Sequence, residues 1–299
     1  MTLYRIVAAL GGNLYQGGRR ANVPAPGHSR RDRSISLLLV GDRVVIHGFG
    51  GTDWRAARDA LRRRGLIDAN GRLGAQGDPA PAWSRPDDRV RRETALRLWE
   101  QSGPVGTASA AALHLRRRAI LADEAVSALR FHPRAPLRVY GEGGRGSPAL
   151  VARIDDPSGG LTAVELTYLD PAGRALPGLV IGRKTVGRVP PGSAVRLAQA
   201  RDALLVGEGV LTTLSAMDRF GLPGWALLGV SNLVGWSPPP GVERVMIAAD
   251  RGTAGERAAA RLRDRLLAIG RRVEVRGPPE PHGDWNEVAM AGMKGREGR

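Results

Sequence analysis

The sequence contains no cysteine, which excludes disulfides and every metal site built on thiolates. Lysine is nearly missing as well: of 45 basic residues only Lys184 and Lys294 are lysines, so arginine carries the positive charge. With aromatic residues at 4%, the core has to be built from aliphatic side chains. No apolar run reaches the roughly 20 residues that a membrane-spanning helix needs, and no secretory leader pattern is present. The expectation is a soluble, cytoplasmic protein without a membrane partner. Against these shortages stands an excess of charge of one sign, 45 basic residues to 29 acidic ones and a net +16. Such an excess suits a polyanionic partner, most simply nucleic acid, although arginine-biased codon use would produce it too. Hydrophobic residues at 42% of 299 allow a substantial core and about two domains.

The chain divides by pattern. Residues 35–40 and 43–49 flank Gly41-Asp42, a dipeptide suited to a tight turn, and predict a β-hairpin. "TDWRAARDALRRRGL" predicts a helix with Thr52 or Asp53 as cap, Trp54, Ala57 and Leu61 at helical spacing, and Gly65 as stop. Residues 68–88 are rich in Gly, Pro and Asp and read as a linker. A helical stretch follows, with "RVRRETALRLWEQS" and "LADEAVSAL" separated by the helix-prone "ASAAALHLRRRAI". From "APLRVYGEGG" onward the chain turns β-rich. Residues 203–276 alternate as β-α-β-β-α-β, the pattern of an open, largely parallel sheet.

In such a sheet, functional groups gather at the carboxyl ends of the strands. Glu208 ends "ALLVGE", Asp250 ends "RVMIAAD", and Asp284 and Glu287 follow "RVEVRGPP" in "HGDWNEV". One strand-end acid is most simply a helix cap. Several on one sheet suit a hard divalent cation, which prefers oxygen ligands and keeps open positions for phosphate oxygens.

At these residues the sequence resembles the Toprim superfamily, the catalytic module of bacterial-type DNA primases, topoisomerases and some nucleases. "VGEGVLTTLSA" is similar to its strand–Glu–Gly–helix motif, "IAADRGTAGERAA" to its Asp-x-Asp motif, and "GDWNEV" to its late acidic motif. The resemblance is to phage- and plasmid-type primase-like members, with "GTASAAALHLRRRAI", "LRFHP", "LTYLDPAGRAL" and "GRKTVG" in the corresponding order. It implies an α/β protein: a Toprim core, Rossmann-like with a largely parallel sheet, preceded by a small β-rich ribbon-like domain and a helical connector. The implied boundaries are 1–75, 76–135 and 136–299. It also implies Glu208 and Asp250 as catalytic acids, and Glu208, Asp250, Asp284 and Glu287 as holders of Mg²⁺ or Mn²⁺. The implied chemistry is phosphodiester formation on single-stranded DNA from nucleoside triphosphates, beside a replicative helicase and in a mobile-element or phage setting. Arg183 and Lys184, in a Gly-flanked stretch, are candidate phosphate contacts. The alternatives are a nucleic-acid-binding accessory of replication or recombination without catalysis, and a Toprim-type nuclease.

Two departures accompany the resemblance. Asp-x-Asp reads Asp250-Arg251-Gly252, so one carboxylate is gone, and Arg251 brings a cation that would repel a second metal or contact nucleic acid. "VPAPGHSRRDRSISL" with "VVIHGFGG" resembles the zinc ribbon ahead of the primase core, yet Val23 or Ala25, Gly48 and Thr52 stand where cysteines are expected. His28 and His47 alone make a poor zinc site, so no zinc is expected. Arg30, Arg31 and Arg33 form a cationic edge suited to phosphates. "GEGGRG" (141–146) has a dinucleotide-binding spacing but is followed by Pro148 and a β-like run, and "GLVIGRKT" lacks P-loop spacing. Trp225, Trp236 and Trp285 suit core packing better than base stacking.

Overall fold

The computed structural model describes residues 2–29, 32–49, 52–73, 86–120, 126–140, 144–177, 179 and 182–297. Two compact units divide the chain, Met1–Pro86 and Asp87–Arg299.

The first unit runs α1 (Tyr4–Leu10), β1 (Asn13–Tyr15), β2 (Arg20–Val23), β3 (Ile35–Val40), β4 (Arg43–Gly48) and α2 (Trp54–Arg63). Its strands pair in sequence order as an antiparallel sheet. The pairing Val40↔Arg43 leaves Gly41-Asp42 as the two-residue loop, with Gly41 at φ 63°. Asp53 caps α2 by accepting from the Arg55 N–H at 2.8 Å. Ala57 and Leu61 of α2 join Leu3, Ile6, Val23, Ile35, Leu37 and Leu39 in an apolar core. His28 pairs with Asp32 at 3.0 Å, and His47 stands edge-on to Phe49 with ring centroids 5.1 Å apart.

The second unit begins with α3 (Asp88–Glu100) and α4 (Ala110–Arg117), followed by β5 (Leu129–Pro136), β6 (Gly146–Asp155), β7 (Leu161–Tyr168) and β8 (Arg183–Gly187) in one antiparallel sheet. Of the expected helix "LADEAVSAL", residues 121–125 lie outside the described residues and β5 already begins at Leu129. Val126, Ser127 and Ala128 form no helix but lead through a turn into β5, where Leu129 pairs with Ala152. This sheet is buried on both faces. Val151, Val164 and Leu166 pack on Leu98 and Trp99 of α3, while Leu150, Ala152 and Ala163 pack towards α4 and Leu214.

The remainder runs β9 (Val195–Arg196), β10 (Ala203–Gly207), α5 (Val210–Phe220), β11 (Gly224–Ala226), α6 (Val230–Gly235), β12 (Arg244–Ala248), α7 (Thr253–Ala268), β13 (Arg272–Arg276) and α8 (Trp285–Glu297). The strand order is β13-β12-β10-β11-β9, parallel except for the edge strand β9. β10 is buried throughout, as expected for a central parallel strand covered on both sides. Leu204 and Val206 point to α6 and α7, and Leu205 to α5 and α8. Helix α6 carries no periodic signal; it is held by Asn232, which donates to the carbonyls of Ser193 and Leu227. Trp225, Trp236 and Trp285 are core residues, the first two meeting edge-on at 6.2 Å. The chain leaves β10 towards β11 on one side and β12 towards β13 on the other, so the loops part between β10 and β12. Such a switch point opens a crevice at the carboxyl ends of the strands.

Candidate active site

Register places the two central acids. Gly207 of β10 lies beside Ala248 of β12, so Glu208 and Asp250 leave neighbouring strands at the crevice. Asp284 arrives from the loop after β13. A cavity of about 320 Å³ is lined by all three, together with Glu165, Arg118, Arg183, Thr212 and Asn286. Leu211 and Leu228 add apolar wall.

Electrostatics tie the group together. Burial, joined by the negative charges of Glu208 and Asp284 and opposed by Arg183, pushes the Asp250 carboxyl up to about 6. Oδ1 of Asp250 is buried without a hydrogen-bond partner. A second carboxyl, Glu165, is also raised by burial and opposed by Arg183. Arg183 therefore acts on both Asp250 and Glu165. The cavity has an acidic wall from the parallel sheet and a basic side from Arg118 and Arg183; nearby, burial lowers the His114 imidazole and both arginines lower it further.

Strand parity separates the two basic candidates of β8. Arg183 pairs with Thr167 and Thr185 with Glu165, which puts Arg183 on the Glu165 face. Lys184 pairs with Leu166 on the opposite face, and its Nζ donates to the Leu137 carbonyl at 3.3 Å. Burial lowers the Lys184 pKa.

The remaining candidates fall elsewhere. Glu287 is exposed; its Oε2 accepts from the Gly283 N–H at 2.7 Å while Asp284 Oδ1 accepts from the Glu287 N–H at 2.8 Å. This reciprocal arrangement caps α8. Arg251 turns into the loop after β13, where its Nη2 donates to the Pro278 carbonyl at 2.7 Å. Arg33 lies in the first unit and donates from Nη1 to the Asp32 carbonyl at 2.6 Å. Arg30 and Arg31 lie outside the described residues.

Sequence reasoning missed Arg118, Glu165 and Asn286. Arg118 is hidden in a run of three: Arg116 and Arg117 donate to the carbonyls of Thr107 and Ala172, and only the third reaches the cavity. Glu165 had a signal, an acid flanked by Val164 and Leu166 inside a strand. Asn286 donates from Nδ2 to the Arg118 carbonyl at 2.7 Å and to Ser215 Oγ at 3.0 Å. Because a carbonyl can only accept, this fixes which end of the amide is which.

The donor set suits a hard cation: carboxylate oxygens of like charge converge, and one buried oxygen lacks a partner. Among the described residues, no three His, Asp or Glu side chains are already close enough to cage an ion. Gly252 adds no donor and shows why. It stands at φ 115° and ψ 154° before α7, a backbone region essentially restricted to glycine. Its N–H donates to Glu256 Oε1 at 3.1 Å, which occupies Glu256 as a cap.

Residues 203–296 match the family model described as the Toprim domain, and residues 89–197 match a domain of unknown function, DUF7146. Comparison with curated proteins finds no match. Among solved structures, the chain is similar to a DNA primase domain from Pseudomonas aeruginosa, at 16% identity over 70% of this chain and 78% of that one with a TM-score of 0.47. It is similar to the zinc-binding and RNA polymerase domains of the Aquifex aeolicus primase, at 15% identity over 98% and 82% with a TM-score of 0.47. It is also similar to the primase fragment of the bacteriophage T7 primase-helicase protein, at 16% identity over 92% and 96% with a TM-score of 0.42. The acids at the carboxyl ends of β10 and β12 and the acid after β13 all fall inside the stretch matched at 203–296, and on that ground the second unit of this chain carries a Toprim domain.

Proposed function

We propose that this chain is a metal-dependent nucleotidyltransferase that makes primers on single-stranded DNA. The observation that carries the reading is the cavity, in which three acids of the Toprim sheet face Arg118 and Arg183. Asp250, Glu208 and Asp284 would hold Mg²⁺ or Mn²⁺, which when bound would neutralise phosphate oxygens and favour a primer hydroxyl as nucleophile. Arg183 and Arg118 bind and orient the triphosphate, since a guanidinium presents paired donors to phosphate oxygens. Glu208, at the end of the central strand, receives the proton of the attacking hydroxyl. Leu211 and Leu228 narrow the access of water to the reacting groups.

A second reading has a specific observation behind it: the glycine-only backbone at Gly252 removes the second acid of the expected motif, which suits a nucleic-acid-binding accessory without catalysis. The test is synthesis of labelled oligonucleotides on single-stranded DNA with Mg²⁺ or Mn²⁺. Product that disappears in Asp250→Asn supports primer synthesis. Salt-sensitive binding without product supports the accessory, and metal-dependent shortening of a labelled strand shows a nuclease.

A further inference from the structure

The centre of the departed motif, Arg251, has an occupation that its sequence position does not announce. Its backbone N–H donates to the Gly283 carbonyl at 2.8 Å. From its side chain, Nε donates to the His282 carbonyl at 3.0 Å, Nη2 to the Pro278 carbonyl at 2.7 Å, and Nη1 pairs with Glu280 Oε1 at 3.3 Å. All four partners belong to the loop joining β13 to α8. That loop ends at Asp284, and Arg251 follows Asp250 directly in the chain. One residue therefore fastens the strand end that carries the first acid to the loop that carries another.

The fastening has a mechanical reason. Two carboxylates of like sign repel across a partly buried cavity, and a loop is the compliant partner. The capping of α8 fixes Asp284 to its helix, and among the described residues the hydrogen bonds that tie residues 278–283 to the end of β12 come from Arg251. A planar guanidinium can serve three separate acceptors from one side chain, which an ammonium on a flexible stem cannot do in the same geometry.

We propose that Arg251 is a positioning residue of the acidic site, which sets the placement of Asp284 against Asp250 and makes no direct contact with nucleic acid or triphosphate. The inference rests on the metal-binding reading of the cavity. Groups that orient metal ligands from behind typically contribute about 10–100-fold to metal affinity.

The test uses the full chain and Mn²⁺ as probe, by calorimetry at low ionic strength, on wild type, Asp250→Asn, Arg251→Gln, Arg251→Lys and Glu280→Gln. Circular dichroism identifies a temperature at which each is folded. Arg251→Gln is expected to weaken Mn²⁺ binding about 10–100-fold. Its metal-free affinity for single-stranded DNA and the salt dependence of that affinity are expected to stay at the wild-type value. Arg251→Lys does not restore the metal affinity, whereas Glu280→Gln, which loses only the exposed ion pair, keeps it within about threefold. Wild-type Mn²⁺ affinity in Arg251→Gln and Arg251→Lys overturns the inference while leaving the metal reading intact. So does a DNA salt slope reduced by about one, the mark of a lost phosphate contact. A wild type that takes no Mn²⁺ overturns the metal reading, and the inference with it.

Discussion

Asp250→Asn should make the metal-free protein more stable, and by a pH-dependent amount. The carboxyl is pushed from its ordinary 3.8 up to about 6. At about 1.36 kcal/mol per pH unit, the charged form is disfavoured in the folded state by no more than about 3 kcal/mol. Partial access to solvent screens this to about 1–2 kcal/mol. The folded-state value lies above the unfolded one, so the folded protein holds the proton more tightly and wild-type stability falls as pH rises between about 4 and 6. Asparagine keeps the shape and carries no such penalty. For a unit of this size, the gain corresponds to about 2–8 °C in Tm at pH 8, shrinking towards zero near pH 4. Calorimetric melts with EDTA across that range measure it. Equal melting of the two proteins at pH 8, or a gain that does not change with pH, would refute the reasoning. A site residue whose neutralisation stabilises the fold is one retained for a task other than stability.

Gly252→Asp, which restores the side chain of the expected motif, should destabilise by about 1–3 kcal/mol because the position is at positive φ, and should leave Mn²⁺ affinity within about threefold of wild type; thermal melts and calorimetry check both. Arg183→Gln and Arg118→Gln should each raise the KM for nucleoside triphosphate about 10–100-fold, as expected for a lost charged hydrogen bond, while the Mn²⁺ affinity changes little. A steady-state primer-synthesis assay alongside calorimetry separates the two effects.

The legible part of this protein was the part written in local pattern. The hairpin about Gly41-Asp42 and the helix capped by Asp53 follow from turn and cap chemistry within a few residues. Glu208 and Asp250 were visible because an acid ending an apolar strand breaks a strong periodicity, and Asp284 because it stands in the acidic stretch that follows the last strand. What stayed hidden depends on parity and on distance along the chain. Whether Arg183 or Lys184 meets the cavity is decided by the pairing of β8 with β7, which flips with a shift of one residue. Glu165 and Arg118 reach the cavity from stretches well before the Toprim sheet, so no spacing within the acidic motifs could place them. Arg251, expected to repel a second metal or contact nucleic acid, gives its backbone N–H and two of its side-chain donors to three carbonyls of a neighbouring loop, an arrangement set by contacts about 30 residues away in the chain. The expected helix at 121–129 meets β5 only at Leu129, a residue whose place is decided by long-range pairing with Ala152.

The arginines that donate to carbonyls bear on how this chain meets a polyanion. Arg116, Arg117, Arg130, Arg196, Arg251 and Arg265 each place a guanidinium against main-chain oxygen. Hydrogen bonding of this kind consumes donors without neutralising charge, so these groups still contribute to the field around the molecule while having fewer N–H groups to offer a phosphate. For the DNA binding proposed above, long-range attraction and close contact are thereby separated: encounter would be accelerated by the whole positive charge, whereas the number of counterions released on binding would follow only the arginines left open. A strongly salt-sensitive association rate combined with a modest equilibrium salt slope is the behaviour such a distribution of arginine produces.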